Sequence, residues 1–281
     1  MKQLQKWAGV IVLSGLFFSS CNNADQSSST TPSTDSTTQT NVMKEENVQY
    51  EGDGVTMNGY IAYQNNSATA RPAIIIIHEW WGLNDYAKRR ARELAELGYV
   101  AMALDLYGNG VNVDNPSAAD SLARPFYKNP AKMHARYLAA LNKLKTYAVV
   151  DSSRIAAIGY CFGGAQVLNL ARMGEDLKGV VSFHGNLIGV PLDPSKLKAE
   201  ILVLHGNSDP MVPVSEVEQF RKEMEKSGAK YKFVGYDGAT HAFSNPNATA
   251  IGQKFQIPIE YNAAADTASW NEMKAFFARI F

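Results

Sequence analysis

Ala73 to Ile77 is the most uniform apolar stretch of the chain, an alanine followed by four isoleucines. A β-branched run without polar interruption fits a strand buried on both faces. Tyr99 to Leu104, Arg154 to Gly159, Val180 to Phe183, Ile201 to Leu204 and Tyr231 to Val234 repeat that texture less purely. Between these runs the period changes. Ala87, Ala91, Leu94 and Ala95 recur at helical spacing within Tyr86 to Leu97, and Gly98 ends the segment. Met133, Tyr137, Leu141 and Leu144 do the same within Asn129 to Tyr147. Helical patterns also cover Asp114 to Arg124, Ala165 to Met173, Val214 to Lys226 and Ala263 to Phe281. Upstream, Asn47 to Glu51 and Val55 to Tyr63 read as two strands joined at Gly52-Asp53-Gly54, a composition that favours a hairpin turn. Strands alternating with helices predict an α/β fold, a mostly parallel central sheet with helices on both faces.

This pattern starts at about Glu46, and what precedes it is of another kind. Lys2 and Lys6 form a positive region before a short apolar stretch, Trp7 to Phe18, which Ser19, Ser20 and Cys21 follow. The arrangement resembles a bacterial lipoprotein signal, in which cleavage before the cysteine leaves a thiol that receives lipid. Asn22 to Thr40 is built of Ser, Thr, Asn and Gln with almost nothing apolar, too little to offset the entropy of ordering. The expected organisation is a leader over residues 1–20, a lipidated Cys21 with a flexible tether over 21–45, and one domain over 46–281. Such a protein would be exported and held to a membrane by its acyl chains. Asn22, in place of the aspartate associated with inner-membrane retention, favours the outer membrane.

Composition narrows the partners. The chain has 281 residues, 46% hydrophobic and 19% charged, enough for one domain with a large core. Formal net charge is zero and no long basic run occurs, so nucleic acid is not an expected partner. His78, His134, His184 and His205 lack metal-ligand spacing and no glycine-rich phosphate loop is present, so no metal or cofactor is expected. With Cys21 consumed by lipid, Cys161 is the remaining thiol of the two cysteines.

Cys161 lies in Gly159-Tyr160-Cys161-Phe162-Gly163-Gly164, directly after an apolar strand. This is a nucleophile elbow, G-x-S-x-G with cysteine for serine, the sharp turn that lifts a nucleophile above the end of a parallel sheet. Further along, Asp209 follows the strand ending at Leu204, and His241 follows the last strand in Gly238-Ala239-Thr240-His241. Nucleophile, acid, histidine is the chain order of α/β-hydrolases. A thiol needs a base, the imidazole needs an acid to hold its tautomer, and the leaving group needs a proton back. The loop after the isoleucine run, His78-Glu79-Trp80-Trp81-Gly82, is placed to supply an oxyanion donor at Trp80 N–H beside that of Phe162. Trp80 and Trp81 read equally as pocket wall and as core.

Over nearly all of Glu46 to Phe281 the sequence resembles the dienelactone hydrolase family. The residues that carry this are Glu79 in the His-Glu-Trp-Trp-Gly run, Asp105-Leu106-Tyr107, the cysteine elbow, Asp209 and His241. The resemblance implies a Cys161-His241-Asp209 triad, with Glu79 contacting the resting thiol and affecting its ionisation. It also implies a substrate-binding region at Trp81, Tyr107, Asn109 and Asn245. The last two are departures: dienelactone-cleaving members carry arginines there that grip a substrate carboxylate. Their loss points to a neutral ester or lactone. Acyl transfer or peptide cleavage on the same triad, or ligand binding without chemistry, are the other readings the residues leave open.

Overall fold

The computed structural model describes residues 42–66 and 69–281. The expected leader, Cys21 and the expected tether up to residue 41 lie outside the described residues. The strands are β1 (Met43–Gly52), β2 (Val55–Gln64), β3 (Arg71–Ile77), β4 (Val100–Ala103), β5 (Val150–Tyr160), β6 (Gly179–Phe183), β7 (Glu200–Gly206) and β8 (Tyr231–Tyr236). The helices are α1 (Asp85–Glu96), α2 (Pro116–Lys128), α3 (Pro130–Lys145), α4 (Phe162–Met173), α5 (Val214–Ser227), α6 (Ala248–Phe255) and α7 (Ala263–Ile280).

The strands form one sheet in the order β1-β2-β4-β3-β5-β6-β7-β8. β2 runs antiparallel to both of its neighbours, and every pair from β4-β3 onward is parallel. With the alternating pattern this is the α/β-hydrolase fold. The isoleucine run shows why both faces are covered. Ile75 and Ile77 pack into a core with Met133 and Tyr137 of α3, Val167 of α4 and Phe220 of α5. Ile74 and Ile76 point the other way, into a core with Ala91 and Leu94 of α1 and Phe277 of α7. All four are fully buried, each stabilising the fold by roughly 1.5–3 kcal/mol.

Two elements differ from the sequence expectation. β1 starts at Met43, so residues 43–45, expected in the tether, belong to the sheet and pair along β2 from Met43↔Gln64 to Gly52↔Val55. It is an edge strand, and the charged Lys44 and Glu45 that read as linker are, with Glu46, what such a strand carries against stray pairing. α6 was not expected. It is eight residues long and buries only small residues, Ala248 and Gly252, too little apolar periodicity to register. The turn between β1 and β2 is the hairpin expected, with Asp53 and Gly54 both at positive φ.

The parallel strands all end on one side, where β5 passes into α4 through the elbow. There the two glycines of the motif allow backbones to cross. A Cβ at Gly159 would lie 2.0 Å from Gly163 O, and one at Gly163 would lie 2.1 Å from Ile77 O. Gly163→Ala is therefore expected to destabilise the protein by about 3 kcal/mol. Gly98→Ala meets no atom within 4 Å and, with only its φ of +96° to relieve, should cost roughly 1 kcal/mol. Urea denaturation of the two variants beside the parent measures the difference.

Candidate active site

Five titratable or nucleophilic side chains gather beyond the carboxyl ends of the parallel strands, where ligands bind in open α/β sheets. Glu79 follows β3, Cys161 follows β5, His184 follows β6, Asp209 follows β7 and His241 follows β8. Cys161 is at φ 53°, ψ −115°, the strained geometry of an elbow, and α4 begins at the next residue. Its side chain is half-buried, while the other four are buried.

His241 Nδ1 donates to Asp209 Oδ2 at 2.7 Å. The other Asp209 oxygen accepts the Met211 N–H at 2.8 Å, which fixes the carboxylate. His241 Nε2 is buried, interacts with Cys161 and lacks a fully formed hydrogen bond. Burial opposes protonation of this imidazole. The electrostatic interaction with Cys161, then the bond to Asp209, more than offset it and hold the pKa well above the usual histidine value. Cysteine, histidine and aspartate are thus brought together, with the histidine and the aspartate buried.

Glu79 is placed differently from what the resemblance implies. Its carboxylate accepts Asn245 Nδ2 at 2.7 Å, and no hydrogen bond joins it to the thiol. Burial raises its pKa to about 7, against the opposing effects of Asn245, His241 and Arg90. Asn245 is therefore committed to Glu79. Trp81 is buried beside it, and both line a cavity of about 680 Å³. Asn109 does not join the cluster. It is exposed at φ 57°, its N–H bonds Thr56 O of β2, and no side-chain contact ties it to the site.

The loops that present the backbone donors are braced from behind. Asp105 accepts the N–H groups of Asn58, Gly108 and Gly110. The turn they form aims the Tyr107 hydroxyl at Trp80 O, 2.9 Å away. Tyr107 is thereby a support for the Trp80 loop, packed on His78 and Phe162, and its hydroxyl is already occupied. His78 is held neutral by burial and bridges the same loops, donating from Nδ1 to Glu79 O and accepting Leu106 N–H at 3.3 Å. The N–H groups of Trp80 and Phe162 find no protein acceptor among the described residues.

Sequence reasoning passed over His184, which lies directly under the nucleophile: its Nδ1 accepts the Cys161 N–H at 3.1 Å. The available signal was its place, the first residue after a buried strand, where other members of the site also stand.

A family model for the dienelactone hydrolase family matches residues 57–281. The chain belongs to that family. Among curated relatives of this hydrolase, protein usf of Aquifex pyrophilus is 30% identical over 235 residues, covering 82% of this chain and 96% of that protein. A putative carboxymethylenebutenolidase of Saccharolobus solfataricus is 26% identical over 276 residues, 84% of this chain and 99% of that one. The crystal structure of a dienelactone hydrolase-like promiscuous phosphotriesterase from metagenomic libraries is 33% identical, with a TM-score of 0.79, over 85% of this chain and 99% of that one. The protein is a carboxylic ester hydrolase of the dienelactone hydrolase type.

The raised pKa of Glu79 makes the stability of this hydrolase depend on pH. An unfolded glutamate ionises near 4.5 and the folded one near 7, so the buried carboxyl favours the fold at low pH and loses that advantage as pH rises through about 7. Glu79→Gln has no such term. Its stability relative to the parent should rise between pH 5 and 7 by at most ~1.4 kcal/mol per unit and level off above that. Urea midpoints at pH 5, 6, 7 and 8 test this, and a pH-independent gap would contradict it.

Proposed function

We propose that this hydrolase cleaves small uncharged carboxylic esters or lactones with Cys161 as nucleophile, His241 as base and acid, and Asp209 as the residue that orients it. The observation that carries the reading is that Asp209 holds His241 Nδ1 while His241 interacts with Cys161. Asp209 fixes the tautomer, leaving Nε2 as the atom that exchanges a proton with sulfur. Sγ attacks the carbonyl carbon, and the C=O electron pair moves onto oxygen. The free N–H groups of Trp80 and Phe162 receive this oxyanion, aided by the positive end of α4. Collapse expels the alkoxide, which takes the proton from His241 and leaves a thioester. Neutral His241 then deprotonates water, which attacks the thioester, and the acid leaves as the thiolate returns.

The neutral substrate follows from the charges near the site. Asn245, where the resemblance places an arginine, spends its amide on Glu79. The neighbouring cavity, which shares Trp81 and Asn245, has two carboxylates, Asp85 and Asp114, against one ammonium, Lys254. Nothing in that balance attracts an acidic acyl group. A neutral phosphotriester is a second class to try, because the structural relative at 33% identity is described as acting on phosphotriesters.

We further propose that the chain is exported and anchored through lipid on Cys21, in the outer membrane. Support comes from Lys2 and Lys6, the apolar stretch to Phe18, and the polar segment after Cys21. Cys21→Ser is expected to move the protein from the membrane fraction to the soluble one, and an unchanged distribution would contradict the anchor.

Assayed on neutral and acidic aryl esters and lactones, Cys161→Ala should lose turnover on the order of 1000-fold or more with an almost unchanged melting temperature. The parent should prefer the neutral members. Turnover surviving in Cys161→Ala would overturn the nucleophile assignment, and a preference for acidic esters would overturn the substrate class.

A further inference from the structure

His184 follows β6 at φ 41°, a left-handed conformation uncommon for a residue with a bulky side chain. Its ring is fully buried beneath the elbow. The Cys161 N–H is shared between Phe183 O at 2.9 Å and His184 Nδ1 at 3.1 Å. A ring nitrogen that accepts carries no proton, so the hydrogen is on Nε2, which donates to Ser244 Oγ at 2.7 Å. The Ser244 hydroxyl is then left to donate to Tyr86 Oη, also at 2.7 Å. Arg90 of α1 closes the structure from below, bonding Ser244 O at 2.8 Å and pairing with Asp266.

This chain of bonds connects two things the triad also connects. At one end is the backbone of the nucleophile. At the other is the segment 241–245, which holds His241 at its start and Asn245, the partner of Glu79, at its end. The need to satisfy a buried N–H does not explain the histidine, because Phe183 O already accepts from Cys161. An apolar ring would fill the space without desolvating two nitrogens.

We propose that His184 is a positioning residue: it ties the Cys161 backbone to the segment that carries His241, and so sets the alignment of sulfur with the base. The proposal rests on Cys161 being the nucleophile. The tie requires a neutral imidazole, since a second proton would abolish the acceptor at Nδ1. The surroundings enforce neutrality. Burial first, then His241 and Arg90, with a smaller contribution from His205, hold the His184 pKa well below the usual value. Tyr160 of β5 lies against the same ring, and His241 approaches it edge-on at 5.4 Å between centroids.

Three substitutions separate the two bonds. His184→Asn keeps an oxygen near the place of Nδ1 and loses the link to Ser244. His184→Gln keeps an amide nitrogen near the place of Nε2 and loses the acceptor for Cys161 N–H. Ser244→Ala cuts the strut from its far side and is the mildest change to packing. Each is made in the full chain beside Cys161→Ala, on the ester the parent turns over fastest. The expected result is a fall in kcat of about 10- to 100-fold with KM within about twofold. The ultraviolet absorbance of the thiolate at pH 7 and the rate of alkylation of Cys161 should fall with it. Parental kcat and absorbance in all three variants, with Cys161→Ala inactive, overturn this proposal alone. A loss of kcat that follows the melting temperature and vanishes on assaying in the cold overturns it as well, since that marks a purely structural role. Turnover by Cys161→Ala overturns the nucleophile assignment and this proposal with it.

Discussion

The backbone of α4 comes so near the end of β3 that no side chain fits between them, and the placement of the site depends on this approach. Gly163 touches the carbonyls of Ile77 and His78, and Gly159 touches Gly163 itself. The crossing does two things at once. It bends the chain at Cys161 into a conformation that a longer connection would relax. It also carries the first turn of α4 to the end of β3, beside the loop of Glu79 and Trp80. The isoleucines on either side hold the sheet rigid while this strain is maintained, because both of its faces are packed.

Around that crossing, burial acts on several ionisable groups with different results. It drives His78 and His184 towards the neutral form and raises Glu79 to about 7. His241 is equally buried, yet stays easily protonated because of its interactions with Cys161 and with the fixed carboxylate of Asp209. One imidazolium among histidines held neutral is a workable arrangement for proton exchange. A second cation beside it would raise the cost of holding the first.

Much of this was legible in the sequence because strand ends are legible. Buried strands read as apolar runs, and Cys161, Asp209 and His241 each stand just past one, so order along the chain translated into proximity. What escaped notice has a common cause. Lys44 and Glu45 are charged because an edge strand faces water, and charge alone cannot separate an edge from a linker. α6 buries too little to leave a periodic trace. His184 was visible as a lone histidine, but its partners Ser244 and, beyond it, Tyr86 are 60 residues further on and 158 residues back from there. Asn245 could be placed by resemblance, yet its bond to Glu79 spans 166 residues and appears only once the loops are folded together.

The family model matches from residue 57, two residues into β2, while the sheet begins at Met43. The difference matters for how the domain is cut. A fragment started at residue 57 would lack β1 altogether, and β2 would present an open row of backbone groups to other copies of itself. It would also lose Asp53, whose carboxylate fastens Arg136 of α3, the side chain that reaches the carbonyls of Leu106 and Tyr107 behind the Trp80 loop. The sheet of this hydrolase is therefore larger than the part matched by the family model, and the excess is connected to the loop that carries Trp80.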